Sequence, residues 1–304
     1  MGMFDLVTKR LLKSYSTRGG IITGFLITVL LGTISVAVSI FFWGGRIIFP
    51  ESGYNLDNFI NLIGIPTLVV LCHASILLGV LYDVRGPEEF KTEAKTKGFK
   101  NDLLSIWNDL EERFSQKSLL VMVTLYFIGL IFLSLGQGIH SATNFLNSRA
   151  LDLSINTIVP EFYQHVWFLD EVVGHWFAYT GFWIMIFLLG FVNLRLPSKR
   201  EMNLTKWIIL TLIALIFGGM VWVIFALEGE YALWSLALAV IYLVYFGTGM
   251  IQRRKNAASS DIQFPIVWFI LLFFLFSMVG LIVYYFLNGG KFIQPSDLFQ
   301  IFDV

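Results

Sequence analysis

Long apolar runs, separated by short polar and charged segments, make up most of the chain. A helix needs about 20 mostly apolar residues to cross the hydrocarbon core of a membrane, and seven runs reach that length. They cover residues 20–43, 59–82, 118–141, 170–194, 207–227, 231–251 and 264–287. No internal repeat, low-complexity linker or soluble domain interrupts them. The pattern therefore predicts an all-α, polytopic membrane bundle of seven transmembrane helices, with residues 1–304 forming a single domain.

Lysine and arginine are distributed unevenly among the segments that join the predicted spans. Eighteen of them lie in the N-terminal segment and in every second connection, whereas only Arg46, Arg149 and Lys291 lie on the other side. Cytoplasmic flanks of membrane spans retain Lys and Arg. We therefore predict a cytoplasmic N-terminus, an external C-terminus and the plasma membrane as the location.

Two further helices are predicted at the inner membrane surface. Residues 83–117 carry apolar side chains on one helical face, which is typical of an amphipathic interfacial helix. A helix that caps the bundle from below is an equally good interpretation. Residues 4–15 predict a second, basic interfacial helix. The apolar face of the longer segment consists of Leu103, Trp107, Leu110 and Phe114.

Composition and charge agree with a membrane protein and exclude several functions. Hydrophobic residues make up 57% of the chain and charged residues 14%, against roughly half and a quarter in soluble domains. The net charge is zero, so it gives no indication of nucleic-acid binding. The single cysteine, Cys72, excludes a disulfide framework. The expected partners are the lipid bilayer, a lipid-like substrate and further copies or subunits of a membrane complex.

Missing motifs exclude other classes of protein. The last predicted span has no lysine to hold retinal, and a cytoplasmic N-terminus is the reverse of that in G-protein-coupled receptors. The chain has no Walker A sequence, Gly-rich dinucleotide motif or Cys-x-x-Cys-His sequence. Soluble nucleotide chemistry and covalent haem attachment are therefore not expected.

Polar side chains enter the membrane at the outer ends of the third and fourth predicted spans. Ionisable residues in lipid are costly and are functional candidates by default. Offsets of three and four residues place side chains on one helical face, and consecutive antiparallel spans bring these faces to the same depth. We name this group the outer polar cluster. It comprises Gln137, His140, Ser141 and Asn144 in the third span, and Asp170, Glu171, His175 and Tyr179 in the fourth.

The outer polar cluster predicts a metal site. Zinc accepts imidazole and carboxylate ligands, and three protein ligands plus water are typical of a catalytic zinc. The predicted ligands are His140, His175 and one acid, preferably Glu171, because Asp170 is also explained as the N-terminal cap of the fourth helix. The second carboxylate would then act as general base. Asn144 or Gln137 would orient a ligand or polarise a carbonyl.

Other interpretations of these residues remain open. Copper or a b-type haem would also accept two histidines, and plain hydrogen bonding between helices needs no metal. His165, in the predicted outer loop, and His73, in the second span, are interpreted as a solvated and a packing histidine. Glu228 and Glu230 emerge on the outer side and are interpreted as exposed loop acids.

Seven spans with intramembrane His, acid and Ser or Asn residues resemble the alkaline ceramidase and adiponectin receptor superfamily of membrane hydrolases. The resemblance implies a zinc ion among the helices that activates water against a lipid amide or ester. The last span lacks the His-x-x-x-His motif of that superfamily. The pair Glu171 and His175 is also similar to a copper-binding motif of membrane monooxygenases, although Leu188 occupies the position of the further histidine.

The sequence thus favours a metal-dependent membrane hydrolase that acts on a lipid-like or amphipathic substrate at the outer face. The alternatives are a metal- or haem-binding subunit of a membrane redox complex and a non-enzymatic scaffold or transport protein. Matched broken helices, which are typical of transporters, are missing from the two halves of the chain.

Overall fold

The computed structural model describes residues 20, 23–28, 30, 47–49, 54–55, 65–85, 110–111, 114–152, 159–198, 202–228, 230–256 and 263–294. These residues are predominantly helical. One short antiparallel pair of strands, β1 (Ile47–Phe49) and β2 (Tyr54–Asn55), accompanies the helices.

Eight α-helices and two π-helical segments can be assigned within these ranges. The first π segment (Phe168–Gly174) joins α3 to α4, and the second (Phe217–Val221) joins α5 to α6. Residues Pro160–Arg195 and Leu204–Glu228 therefore form two continuous helices. The α-helices are α1 (Ile65–Arg85), α2 (Gln116–Asp152), α3 (Pro160–Trp167), α4 (His175–Arg195), α5 (Leu204–Ile216), α6 (Trp222–Glu228), α7 (Ala232–Asn256) and α8 (Pro265–Leu287).

The long helices carry apolar side chains on their outward faces as well as their inward ones. On α2, for example, Leu120, Phe127 and Ile131 are 68%, 57% and 61% exposed. Soluble proteins rarely expose large contiguous apolar patches to water, whereas the lipid of a membrane solvates such surfaces. Five helical stretches are long and apolar enough to cross a membrane. They are Gln116–Thr143, Pro160–Arg195, Leu204–Glu228, Ala232–Asn256 and Pro265–Leu287. The chain is therefore an integral membrane protein.

Glycines allow α2 to pack closely against the helix that contains α4. Gly136 contacts Gly174 and Ala178, and Gly129 contacts Gly181. The residue numbers fall on one helix as they rise on the other, so the two helices are antiparallel. A Cβ at Gly136 would collide with the backbone of Ala178. Small residues permit such close approach between helices in membranes, and here they position the polar residues described below.

The other face of α4 packs against α7 and α8. Trp183 stacks on Phe274 of α8 with ring centres 4.5 Å apart, and its carbonyl accepts a hydrogen bond of 2.8 Å from Tyr242 of α7. Near the end of α4, the buried Asn193 side chain accepts hydrogen bonds from the first N–H groups of α8, Ile266 at 3.0 Å among them. These groups have no partner within their own helix. Helix α4 therefore lies at the centre of the described bundle.

The prediction of a helical membrane protein is confirmed. The predicted span 118–141 agrees with the stretch Gln116–Thr143 to within two residues, although the helix itself continues to Asp152. The start of the fourth span is wrong, because its helix begins at Pro160 instead of residue 170. The segment predicted as an outer loop is thus helical over much of its length. A search for apolar runs detects only the part of a helix that suits lipid. A helix satisfies its own backbone and can continue beyond that part with polar side chains.

Several other predictions concern residues outside the described ranges. These are the interfacial helix at residues 4–15, most of the span at 20–43 and most of the interfacial segment at 83–117. The second predicted span, 59–82, overlaps α1, which is described but is not one of the five stretches above.

Candidate metal centre

The polar residues meet where α2 crosses the first π segment. Asp170 and Glu171 lie in that segment, His175 begins α4, and His140 lies on α2. The approach is close because Gly174 has no side chain: a Cβ there would lie 3.0 Å from the backbone nitrogen of His140. The histidines and acids are thus held by two rigid, tightly packed helices.

Asp170 is the most enclosed member of the group, with 1% of its surface exposed. Its Oδ1 lies 2.8 Å from Nδ1 of His140. The N–H direction is not aligned on this oxygen, so the contact is an electrostatic pair and not a directed hydrogen bond. Thr143 places its hydroxyl 3.1 Å from the same oxygen and 2.7 Å from the carbonyl of Ile139. Its single proton is shared between these two acceptors.

His175 is oriented by its own helix. Its Nδ1 lies 2.7 Å from the carbonyl oxygen of Glu171 and 3.9 Å from the Glu171 carboxylate. A carbonyl oxygen can only accept a hydrogen bond, so Nδ1 of His175 carries the proton. His140 places Nδ1 beside a carboxylate oxygen, but its N–H direction is not aligned on that oxygen. In the neutral form of His175, Nε2 is therefore the nitrogen that carries the lone pair.

The two imidazole rings lie side by side. Their centres are 4.6 Å apart and their planes are inclined by 40°. Tyr179 stacks on His175 from the other side at 5.4 Å, and Trp222 and Tyr231 cover Tyr179 edge to face. One side of the histidine pair is thus closed by aromatic rings. The His140 and His175 side chains keep 24% and 14% of their surfaces exposed.

The structure brings four of the predicted site residues together and corrects one interpretation. His140, Asp170, Glu171 and His175 converge as described. The helix that contains Asp170 begins ten residues earlier, after Val159, so the interpretation of Asp170 as an N-terminal cap is wrong. Its carboxylate instead faces α2.

Three other members of the outer polar cluster are less informative. The side chain of Asn144 lies outside the described part of the structure, although its backbone continues α2. Gln137 is half-buried on α2. Ser141 is buried, and within the described residues its hydroxyl has no hydrogen-bond partner.

The remaining ionisable residues lie outside the group. His165 is exposed on α3, which replaces the predicted loop. His73 is buried on α1 with Nδ1 2.8 Å from the carbonyl of Val69. Glu228 is the last residue of α6.

Sequence reasoning missed Thr143. Its position three residues after His140 placed it on the same helical face, so the signal was present.

Among the described residues, no group of three or more His, Cys, Asp or Glu side chains is arranged to hold a metal ion. The argument for a metal therefore depends on the two histidines. Comparisons of the chain with family models, curated proteins and solved structures give no match. The resemblance to the ceramidase and adiponectin receptor superfamily stays a prediction from architecture.

Proposed function

We propose that this protein is a metal-dependent membrane hydrolase that binds zinc through Nε2 of His140 and Nε2 of His175. One observation carries the proposal: the Nδ1 atoms of both neighbouring rings lie beside oxygen acceptors, at 2.8 Å for His140 and 2.7 Å for His175. Metal-binding histidines characteristically donate their second N–H to a carboxylate or a backbone carbonyl. His175 already donates in this way, and the proposal requires the His140 ring to turn its N–H onto Asp170 when the metal binds. The donor set also suits zinc, which accepts imidazole nitrogen.

The spacing of the rings supports a shared metal ion. Two imidazoles on one tetrahedral zinc, with metal–nitrogen bonds of about 2.0–2.1 Å, have ring centres about 5 Å apart. The observed separation of the His140 and His175 rings is 4.6 Å. Two axial histidines of a haem lie on opposite sides of the iron, which requires ring centres about 6 Å apart and a porphyrin between them. The spacing therefore favours a metal ion over haem b.

The two acids have different environments and, we infer, different roles. Asp170 is buried against His140 and Thr143, so it orients the imidazole and does not itself reach solvent. The Glu171 side chain keeps 21% of its surface exposed, and it is the acid that can serve as a third ligand or as general base. Zinc would supply Lewis-acid activation of a water molecule. Glu171 would take up the proton of that water.

The proposal includes the arrangement in the membrane. Seven spans are expected from the apolar runs of the sequence, and a cytoplasmic N-terminus and an outward-facing metal centre are expected from the distribution of Lys and Arg. The apolar side chains exposed around the long helices would give a lipid-like substrate access from the bilayer. A substrate with a long acyl chain and a hydrolysable amide or ester fits this location.

Elemental analysis and an absorption spectrum of detergent-purified protein test the metal. We expect about one zinc per chain in the wild type, at least tenfold less in His140→Ala and His175→Ala, and no change in His165→Ala. The last variant is the matched control, because it removes an exposed histidine from α3. Copper in place of zinc, or a Soret band, would support the redox alternative. Folded wild-type protein without metal would refute the metal centre and leave a scaffold or transport role.

A hydrolysis assay tests the chemistry separately. We expect metal-dependent release of fatty acid from long-chain amides or esters in mixed micelles, and its loss in Glu171→Gln. If that variant keeps zinc but loses activity, Glu171 is the base; if it loses zinc as well, Glu171 is a ligand. If the zinc-loaded protein hydrolyses none of these substrates, the proposed hydrolase activity is wrong and the proposed metal site still stands.

A further inference from the structure

A second polar site lies at the other end of α4, where this helix and α7 finish together. Phe187 of α4 contacts Tyr245 of α7 with ring centres 5.2 Å apart, and further along Leu194 contacts Gly249. The residue numbers rise together, so the two helices are parallel and their C-terminal ends are adjacent. A cavity of about 390 Å³ opens between these ends. We name it the basic pocket; its polar and aromatic lining includes Phe191, Arg195, Tyr245, Thr248, Gln252 and Arg253.

The lining of the basic pocket suits a phosphate group. Arg195 and Arg253 contribute two guanidinium groups, and no acidic residue lines the part of the pocket that the structure describes. Gln252 adds an amide donor, whereas the Thr248 hydroxyl donates to the Val244 carbonyl of its own helix, 2.7 Å away. Arg195 is held over the ring of Phe191, 5.5 Å from its centre, which limits the freedom of this side chain. Guanidinium groups bind phosphate through paired N–H donors.

The surface beside the pocket suits an acyl chain. Ile241 and Val244 precede the pocket on α7 and are 57% and 60% exposed. Positions 241, 244, 245 and 248 share one face of a helix, so an apolar strip continues from the pocket toward the middle of the membrane. A volume of 390 Å³ is large enough for a headgroup but small for a whole lipid, whose chains would have to lie along this strip.

The location also matches a membrane surface. Twenty residues separate His175 from Arg195 along one helix, which corresponds to about 30 Å. This distance equals the thickness of the hydrocarbon core. The basic pocket and the metal centre therefore lie at opposite faces of the membrane, and basic pockets between helices at the cytoplasmic face are known binding sites for anionic headgroups.

From these observations we infer that the basic pocket binds the phosphate headgroup of an anionic phospholipid from the adjacent leaflet, with an acyl chain on the exposed face of α7. The inference does not depend on the proposed hydrolase.

Native mass spectrometry of the full-length protein with phosphatidylglycerol and phosphatidylcholine of identical chains tests this site. The double variant Arg195→Gln/Arg253→Gln should bind phosphatidylglycerol roughly 30-fold more weakly, because each basic residue near an anionic membrane surface contributes about a factor of five. Arg254→Gln/Lys255→Gln is the matched control: it removes the same charge from the same helix end, at residues that do not line the pocket. The control should lose less than about threefold. If the double variant misfolds, the two single variants should each show about a fivefold loss.

Two results would overturn the inference. Equal losses of phosphatidylglycerol affinity in the double variant and its control would mean that the lipid is attracted by the overall charge of the helix ends and is not bound in the pocket. Equal binding of phosphatidylcholine by the wild type would mean that the anionic headgroup is not recognised.

A competition arm separates the lipid from a soluble anion. Inorganic phosphate and glycerol phosphate, in large excess, should leave phosphatidylglycerol bound, because neither can occupy the apolar strip. Complete displacement would assign the pocket to a free phosphate compound and refute the lipid. Zinc content of the double variant should equal that of the wild type, since the metal centre is about 30 Å away.

Discussion

Replacing Asp170 by Asn tests how the candidate metal centre is oriented. The substitution conserves the shape of the side chain and keeps one oxygen for the Thr143 hydroxyl. In the wild type this hydroxyl lies 3.1 Å from the carboxylate. It removes the negative charge that lies 2.8 Å from Nδ1 of His140. Loss of such an outer partner of a metal ligand typically weakens metal binding 10- to 100-fold, which is about 1.4–2.7 kcal/mol. We expect a loss in that range for Asp170→Asn.

Competition with a chelator, carried out on purified protein in detergent, measures this affinity. Glu161→Gln is the matched control, because Glu161 is an exposed acid on α3 and should leave the affinity unchanged. Thr143→Val should have a smaller effect than Asp170→Asn, since it leaves the charge beside His140. Zinc affinity of Asp170→Asn equal to that of the wild type would refute the orienting role of the carboxylate.

A second readout needs no metal. In the wild type, 15N NMR of the histidine rings should report the form of His140 that is protonated at Nδ1. In Asp170→Asn this form should lose its preference, because the neutral amide is a weaker partner than a carboxylate. An unchanged His140 spectrum in this variant would show that the ring is oriented by something else.

Three further variants test the packing and the backbone around the centre. Gly136→Ala forces a methyl group into the backbone of the facing helix, and thermal unfolding should show a loss of stability of about 1–3 kcal/mol. Gly247→Ala is the control: its added methyl group would lie 3.9 Å from the nearest atom, so the same measurement should show no loss or a gain of stability. Ser235→Ala removes the acceptor that lies 2.6 Å from the buried indole nitrogen of Trp222, and unfolding measurements should show a cost of about 1–3 kcal/mol; a smaller change would mean that the indole finds another partner. Deletion of Val172 from the first π segment should keep the helix content measured by circular dichroism but abolish zinc binding, and wild-type zinc content would contradict the geometry proposed for the centre.

Much of the fold could be predicted from the sequence because lipid imposes simple rules. Apolar length alone located the helices Leu204–Glu228, Ala232–Asn256 and Pro265–Leu287 to within about five residues at each end. The convergence of His140 with His175 followed from helical periodicity and antiparallel neighbours. The extensions of α2 and α3 could not be predicted in this way, since polar helix outside the hydrocarbon has no apolar signature. Another signal in the sequence was not used. Gly129 and Gly136 are seven residues apart on α2, and Gly174 and Gly181 are seven residues apart on the facing helix. This matched spacing indicates which faces of the two helices make contact.

The interpretation of Asp170 as a helix cap is wrong, and the backbone around this residue explains where its carboxylate lies instead. In an α-helix, residues five positions apart, such as Asp170 and His175, point about 140° away from each other, and the pair four apart, Glu171 and His175, shares a face. A π-helical turn holds about one residue more, so each residue turns the chain by only about 80°, and the residue five positions later returns to within about 40° of the first. The first π segment spans this interval. It therefore places Asp170 on the His175 face, where its carboxylate reaches His140. Sequence periodicity that assumes an α-helix turns this position away from the His175 face. The local change in helical pitch is thus what makes the buried carboxylate part of the centre, and it explains why the two adjacent acids have different surroundings.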